Sequence, residues 1–191
     1  MKKLLGIVVL CLLLTNLSQA DDIKEFQIAG LSIGDSLLNH MSAKQIKSSK
    51  LNYFKDERKY YVVNLETNNS IYDTVEVYLK TNDNNYEIKA IGGFFMNLKK
   101  NCLEKKEEIA KELDSVFLNT KPVSDIKSHE TDKTGKSKQH LTQYSLGGRN
   151  HIRVECVFWS NEIKKKKGWK DNLIVVAMSD EISHWVTSGY K

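Results

Sequence analysis

The sequence predicts an α+β fold: a single domain in which a mostly antiparallel sheet is packed by helices on one face. Two groups of strand-like segments, near 60–95 and 139–178, either alternate apolar with polar residues or run in β-branched and aromatic ones. Each group follows a stretch with helical spacing, near 33–46 and at 102–117. Turn-forming clusters join strands within a group, at 81–85 and at Gly147-Gly148-Arg149. Helices, strands, helix, loop, strands, helix is an order that α+β domains adopt. It also suggests a degenerate helix-then-strands duplication, with halves near 30–98 and 99–191.

Residues 1–20 read as a secretory signal peptide. Lys2 and Lys3 form a positive n-region, 4–14 is almost unbroken apolar sequence, and Ser18 and Ala20 occupy the positions a signal peptidase reads. Cleavage is expected between Ala20 and Asp21. The apolar run is too short to span ~30 Å of hydrocarbon. Cys11 lies inside that run, so it is not placed to start a lipoprotein. Residues 21–191, about 170, suit one secreted domain. Without Lys2 and Lys3 the chain carries 27 basic and 24 acidic residues, a formal +3, too mild to imply nucleic acid. No second apolar run approaches spanning length, so the mature chain is expected to be soluble, not membrane-spanning, and periplasmic or secreted.

In chain order, residues 21–29 become alternating around Phe26 and Ile28, as a short strand or extended arm. Ser32 with Asp35 has the spacing of a helix N-cap, and Ile33, Leu37, Leu38 and Met41 then share a helical face. Ser42 with Gln45 repeats that signal for a short helix through Ile46. The first unit is therefore expected to be two short helices. Residues 60–65 and 74–80 read as strands, and 86–95 completes a hairpin in which Gly92-Gly93 marks a bulge or a close backbone approach. Asn101 is placed to cap the central helix. Cys102, Ile109, Leu113 and Val116 or Phe117 line one face of it; Lys105, Lys106, Glu108, Lys111 and Glu112 line the other. Residues 119–138 are polar, contain the single proline, Pro122, and show no periodicity, as a long loop would. Segments 139–146 and 151–159 read as a hairpin, 161–171 as a charged loop, and 172–178 as a buried central strand. Ser179 is expected to cap a last helix, with Asp180 and Glu181 favoured by its dipole.

With Cys11 removed, two cysteines remain, and an even pair in an oxidising compartment is most simply a disulfide. The hairpin register places Ile152, Val154, Cys156 and Phe158 on one face, with Tyr144 and Leu146. Cys156 then points to the core, as does Cys102 on the apolar face of its helix. A Cys102–Cys156 bond is expected, with two free thiols as the alternative.

The motifs that carry chemistry are thin. Gly30-Leu31-Ser32-Ile33-Gly34 matches the G-x-S-x-G of a nucleophile elbow, but too few residues precede it to supply half of an oxyanion hole. Gly135-Lys136-Ser137 resembles the end of a phosphate loop, with Glu130 where that pattern needs glycine. His40, His129, His140, His151 and His184 show no metal-ligand spacing, so no metal and no cofactor are expected. His140, His151, Arg153 and Glu155 form a candidate binding face on the second hairpin. Lys164, Lys165, Lys166 and Lys167, followed by Trp169, form a basic loop that could meet an acidic polymer or an anionic membrane surface.

Five stretches (30–38, 91–93 with Cys102 and its helix, 132–138, 154–160 and 168–171) together resemble a group of small exported bacterial proteins without assigned activity. That resemblance implies export and a single domain, and brings no site residues. The helix-then-strands order is also similar to the outer-membrane assembly lipoprotein and β-lactamase-inhibitor folds, an analogy of architecture alone. The expected function is non-catalytic binding of an unknown envelope or extracellular partner. The alternative is a small secreted hydrolase with a His/Glu or Ser site.

Overall fold

A computed structural model describes residues 22–51, 54, 59–66, 71–96, 98 and 101–188; the signal-peptide segment and Cys11 lie outside the described residues. Two short strands, β1 (Gln27–Ile28) and β2 (Leu31–Ser32), form a hairpin. Then come α1 (Ala43–Ser48), β3 (Lys50–Leu51), β4 (Tyr60–Leu65), β5 (Thr74–Lys80) and β6 (Ile88–Phe95). The second half runs α2 (Cys102–Val116), β7 (Val123–Ser128), β8 (Lys138–Ser145), β9 (His151–Phe158), α3 (Asn161–Lys167), β10 (Asn172–Met178) and α4 (Asp180–Thr187). Strands β3 to β10 make one antiparallel sheet in the order β3-β4-β5-β6-β10-β9-β8-β7. Each half is a helix followed by a four-strand meander, and the two meanders meet where β6 pairs with β10. The α+β class and the repeated helix-then-strands order are both present.

Alternation decides which residues each face buries. The inner face presents Val77, Ile91, Val154, Cys156 and Val175 to Ile109 and Leu113 of α2, and to Ile28, Leu31, Leu37 and Ile46 of the N-terminal segment. On the opposite face Tyr60, Val62, Tyr78 and Ala90 lie under Ile182 and Trp185 of α4. Trp185 sits 4.8 Å from the Tyr60 ring and 4.9 Å from that of Phe54, centroid to centroid. Helices therefore cover both faces, not one. The reason lies in β4, which buries Val63 on one side and Tyr60 and Val62 on the other, so it needs apolar cover on both.

Cys102 and Cys156 are joined, with Cα atoms 6.0 Å apart. The bond pins the first turn of α2 to β9, where Cys156 lies opposite Leu173 and His140. Asn101 caps α2, its side chain accepting from the Leu103 N–H. Lys105 and Lys106 are buried, against the expectation that they face solvent. Their long stems pack while the ammonium groups find oxygen: Lys105 on Glu108 at 3.1 Å, Lys106 on Glu107 and Thr142, both at 2.8 Å.

Other local expectations are corrected. Ser32 lies in β2, and its N–H donates to Asp35 Oδ2 at 2.9 Å. No helix follows; Gly34 turns at φ 92°, and the Gly34 and Leu37 amides bond the carbonyls of Ile88 and Tyr86. Only a 3-10 turn, Leu37–Asn39, forms before α1, whose Ser42/Gln45 capping box is as expected. The 119–138 stretch contains β7, exposed at every residue. The 161–171 stretch contains α3, capped by Ser160 and stopped by Gly168 in the left-handed region. The last helix is present, although Ser179 makes no side-chain cap bond. Gly93 is a close approach: a Cβ there would meet the Tyr72 ring at 2.4 Å.

Peptide mapping without reductant should find Cys102 linked to Cys156, and Cys102→Ala/Cys156→Ala should lower unfolding stability by about 2–4 kcal/mol. Gly93→Ala should cost about 1–3 kcal/mol by forcing Tyr72 out of place, read in the same denaturant titration.

Candidate functional site

The period-2 alternation of β9 turns His151, Arg153 and Glu155 to the outer face, the one that α4 covers at its β4–β6 end. Arg153 and Glu155 form an ion pair, Nε to Oε2 at 3.2 Å, and Gln139 Nε2 donates to the same carboxylate at 3.2 Å. Glu155 is buried, and the pair supplies it with donors from two side chains. His151 lies one step along the same face, opposite Met178 and Ser145. Its Nδ1 is 3.0 Å from the Arg149 carbonyl, and burial holds its pKa below the usual histidine value. His140 does not join them. It pairs with Cys156, so it belongs to the inner side, where it meets Phe158 edge-on. The two histidines stand on opposite faces, five rungs apart along the β8–β9 ladder.

Reading across the sheet, Arg153 lies opposite Val176, Val176 opposite Gly92, and Gly92 opposite Glu76. Glu76 is the residue that sequence reasoning passed over. Burial pushes its carboxyl up to about 7, and Oε2 has no hydrogen-bond partner among the described residues. Its alternation with Val75 and Val77 gave the correct face, but nothing local shows that an interior strand of a wide sheet will bury it. Neighbouring Thr74 donates to Asn64 Oδ1 rather than to Glu76.

Aromatic residues rim the β7–β10 end of the outer face. His129 packs tilted against Trp159, ring centroids 4.3 Å apart, and Trp159 against Trp169 at 4.6 Å. Trp169 stays 39% exposed, with Lys167 Nζ 6.0 Å from its ring centroid. The loop that delivers His129 is locked by Asp132. Its carboxylate accepts from the hydroxyls and amides of Ser137 and Thr134, bonds that hold its pKa well below the usual range. Ser137 in turn accepts from the Ser160 N–H, tying the loop to the start of α3. Gly135-Lys136-Ser137 is thus a folded turn whose serine is buried and engaged.

The four lysines divide. Lys164 pairs with Asp171 at 2.7 Å, whose other oxygen accepts from the Trp159 N–H, so Lys164 serves the fold. Lys165, Lys166 and Lys167 are exposed on α3. Among the described residues no three His, Cys, Asp or Glu side chains are placed to hold a metal, and no helix is long and apolar enough to cross a membrane. No protein-family model, curated protein or solved structure matches the chain.

Glu76 makes a signed prediction. A carboxyl raised from 4.5 to about 7 favours the folded state fully below pH 4.5, and this contribution is lost as pH rises through about 7. Glu76→Gln should remove a loss on the order of 3 kcal/mol between those limits. His129 and His151, both lowered by burial, act with the opposite sign near their usual value. The difference between wild type and Glu76→Gln in chemical denaturation across pH isolates the glutamate. Parallel curves would rule out its burial.

Proposed function

We propose that the protein is exported, periplasmic or secreted, and acts without catalysis by binding an envelope or extracellular partner on its outer sheet face. The observation that carries this reading is the composition of the β7–β10 end of that face. Arg153, paired and held by Glu155, stands beside Gln139 and Gln143, and Trp169 is presented half-exposed above Trp159. Arginine and tryptophan on rigid supports are the side chains that dominate protein recognition energetics. Lys165, Lys166 and Lys167 next to them favour a partner with acidic groups.

A hydrolytic reading has one observation on its side. A carboxyl at about 7, as in Glu76, lies where a general base works. The two readings separate cleanly. Tagged mature protein should retain a reproducible partner from envelope extract, and Trp169→Ala should weaken that complex by roughly tenfold or more. Recovery of no partner, together with hydrolysis of a substrate panel that Glu76→Gln abolishes, would overturn the proposal.

A further inference from the structure

We infer that the protein pairs with a second copy of itself along the free edge of β7, in one two-fold register. β7 is the terminal strand of the sheet; one side pairs with β8, from Val123 opposite Gln143 to Ser128 opposite Lys138. Among the described residues no strand pairs with its other side, a six-residue edge on which Val123 and Ile126 are 64% and 62% exposed. The row of unpaired N–H and C=O groups on such an edge is a template for another strand.

The register follows from which peptide groups face outward. The Ile126 N–H donates to Asp125 Oδ1 at 2.8 Å, a side chain of its own strand, so that amide is turned away from β8. By the two-residue period, Ser124, Ile126 and Ser128 face out, while Val123, Asp125 and Lys127 face β8. An antiparallel partner must match outward residues with outward residues. A two-fold axis beside Asp125 would set two aspartates against each other, and one beside Lys127 two lysines. An axis beside Ser124 or Ser128 leaves half of the strand unpaired. An axis beside Ile126 pairs Ser124 with Ser128 of the second copy, Asp125 with Lys127, and Ile126 with itself.

In that arrangement Asp125 and Lys127 are non-hydrogen-bonded pairs, the pairs with the closest side chains, and both carry opposite charge. Ile126 meets its own copy on the other face. Pro122, at the next outward position beyond Ser124, has no N–H to donate, so the ladder stops there. Within one copy Lys127 Nζ already lies 3.8 Å from Asp125 Oδ2. Pairing therefore exchanges an intrachain partner for an interchain one, and the Ile126 N–H exchanges a carboxylate for a carbonyl. The charges select the register more than they drive association, and so short a ladder makes a reversible, concentration-dependent dimer.

Sedimentation velocity of the disulfide-intact mature protein should show the dimer growing with concentration. Hydrogen exchange at the Ser124, Ile126 and Ser128 amides should slow in step, with those of Val123, Asp125 and Lys127 slow throughout. Asp125 and Lys127 are 53% and 56% exposed, so reversing either leaves the fold intact. Asp125→Lys or Lys127→Asp alone should weaken dimerisation by roughly tenfold, and the two together should restore it. A protein that stays monomeric at its highest soluble concentration overturns the inference. So does a dimer that neither single reversal weakens, or one that the double exchange fails to rescue.

Discussion

The architecture depends on one antiparallel contact, the pairing of β6 with β10 at the centre of the sheet. Each half of the chain supplies a helix and a meander, and only this contact makes the two meanders one sheet. Gly92 and Gly93 sit within it, opposite Val176 and Val175. Gly93 leaves the inner side open to the Tyr72 ring. Gly92, without a side chain, stands on the outer side between Glu76 and Val176. Once that pairing is made, the period of two propagates outward on both sides. It sets Glu76 and Arg153 on the same face, and it sends Cys156 under α2.

This propagation explains what could be read from the sequence. Where one face of a strand is buried and the other polar, the pattern of side chains records the face. Cys156 was legible for that reason, flanked by Val154 and Phe158 at steps of two, and so was the disulfide. Arg153 and Glu155 were legible as an outer pair by the same rule. His140 was legible by the same rule but was grouped against it: two steps of two from Tyr144, it falls with Cys156 on the inner side.

The elements that escaped did so for distinct physical reasons. β7 has solvent on both faces, so no burial imposes alternation on Val123 to Ser128. α3 is mostly charged, and its two real signals, Ser160 and Gly168, are caps with little apolar pattern between them apart from Ile163. Ser32 and Asp35 have the spacing of a cap, yet Gly34 and the claims of Ile88 and Tyr86 on nearby amides divert the segment into extended structure. Lys106 reads as surface charge, but its stem suits a helix–sheet seam once Thr142 offers its hydroxyl. In each case a long-range partner decides a residue whose local signal is weak.

One such chain of partners links the disulfide to the open edge. Ser124 of β7 shares a hydrogen bond with Thr142 of β8 at 2.9 Å, and Lys106 of α2 donates to the same Thr142. Lys106 follows Cys102 by one turn of helix, so the cross-link to β9 fixes the depth from which it reaches the sheet. Remove the cross-link and α2 keeps Ile109 and Leu113 in the core, but its first turn loses its covalent anchor. The buried ammonium is then held only by Glu107 and Thr142, and Thr142 in turn by its place in the β8 ladder. Cys102 and Cys156 are thereby connected, through Lys106 and Thr142, to a strand two places from β9 in the sheet.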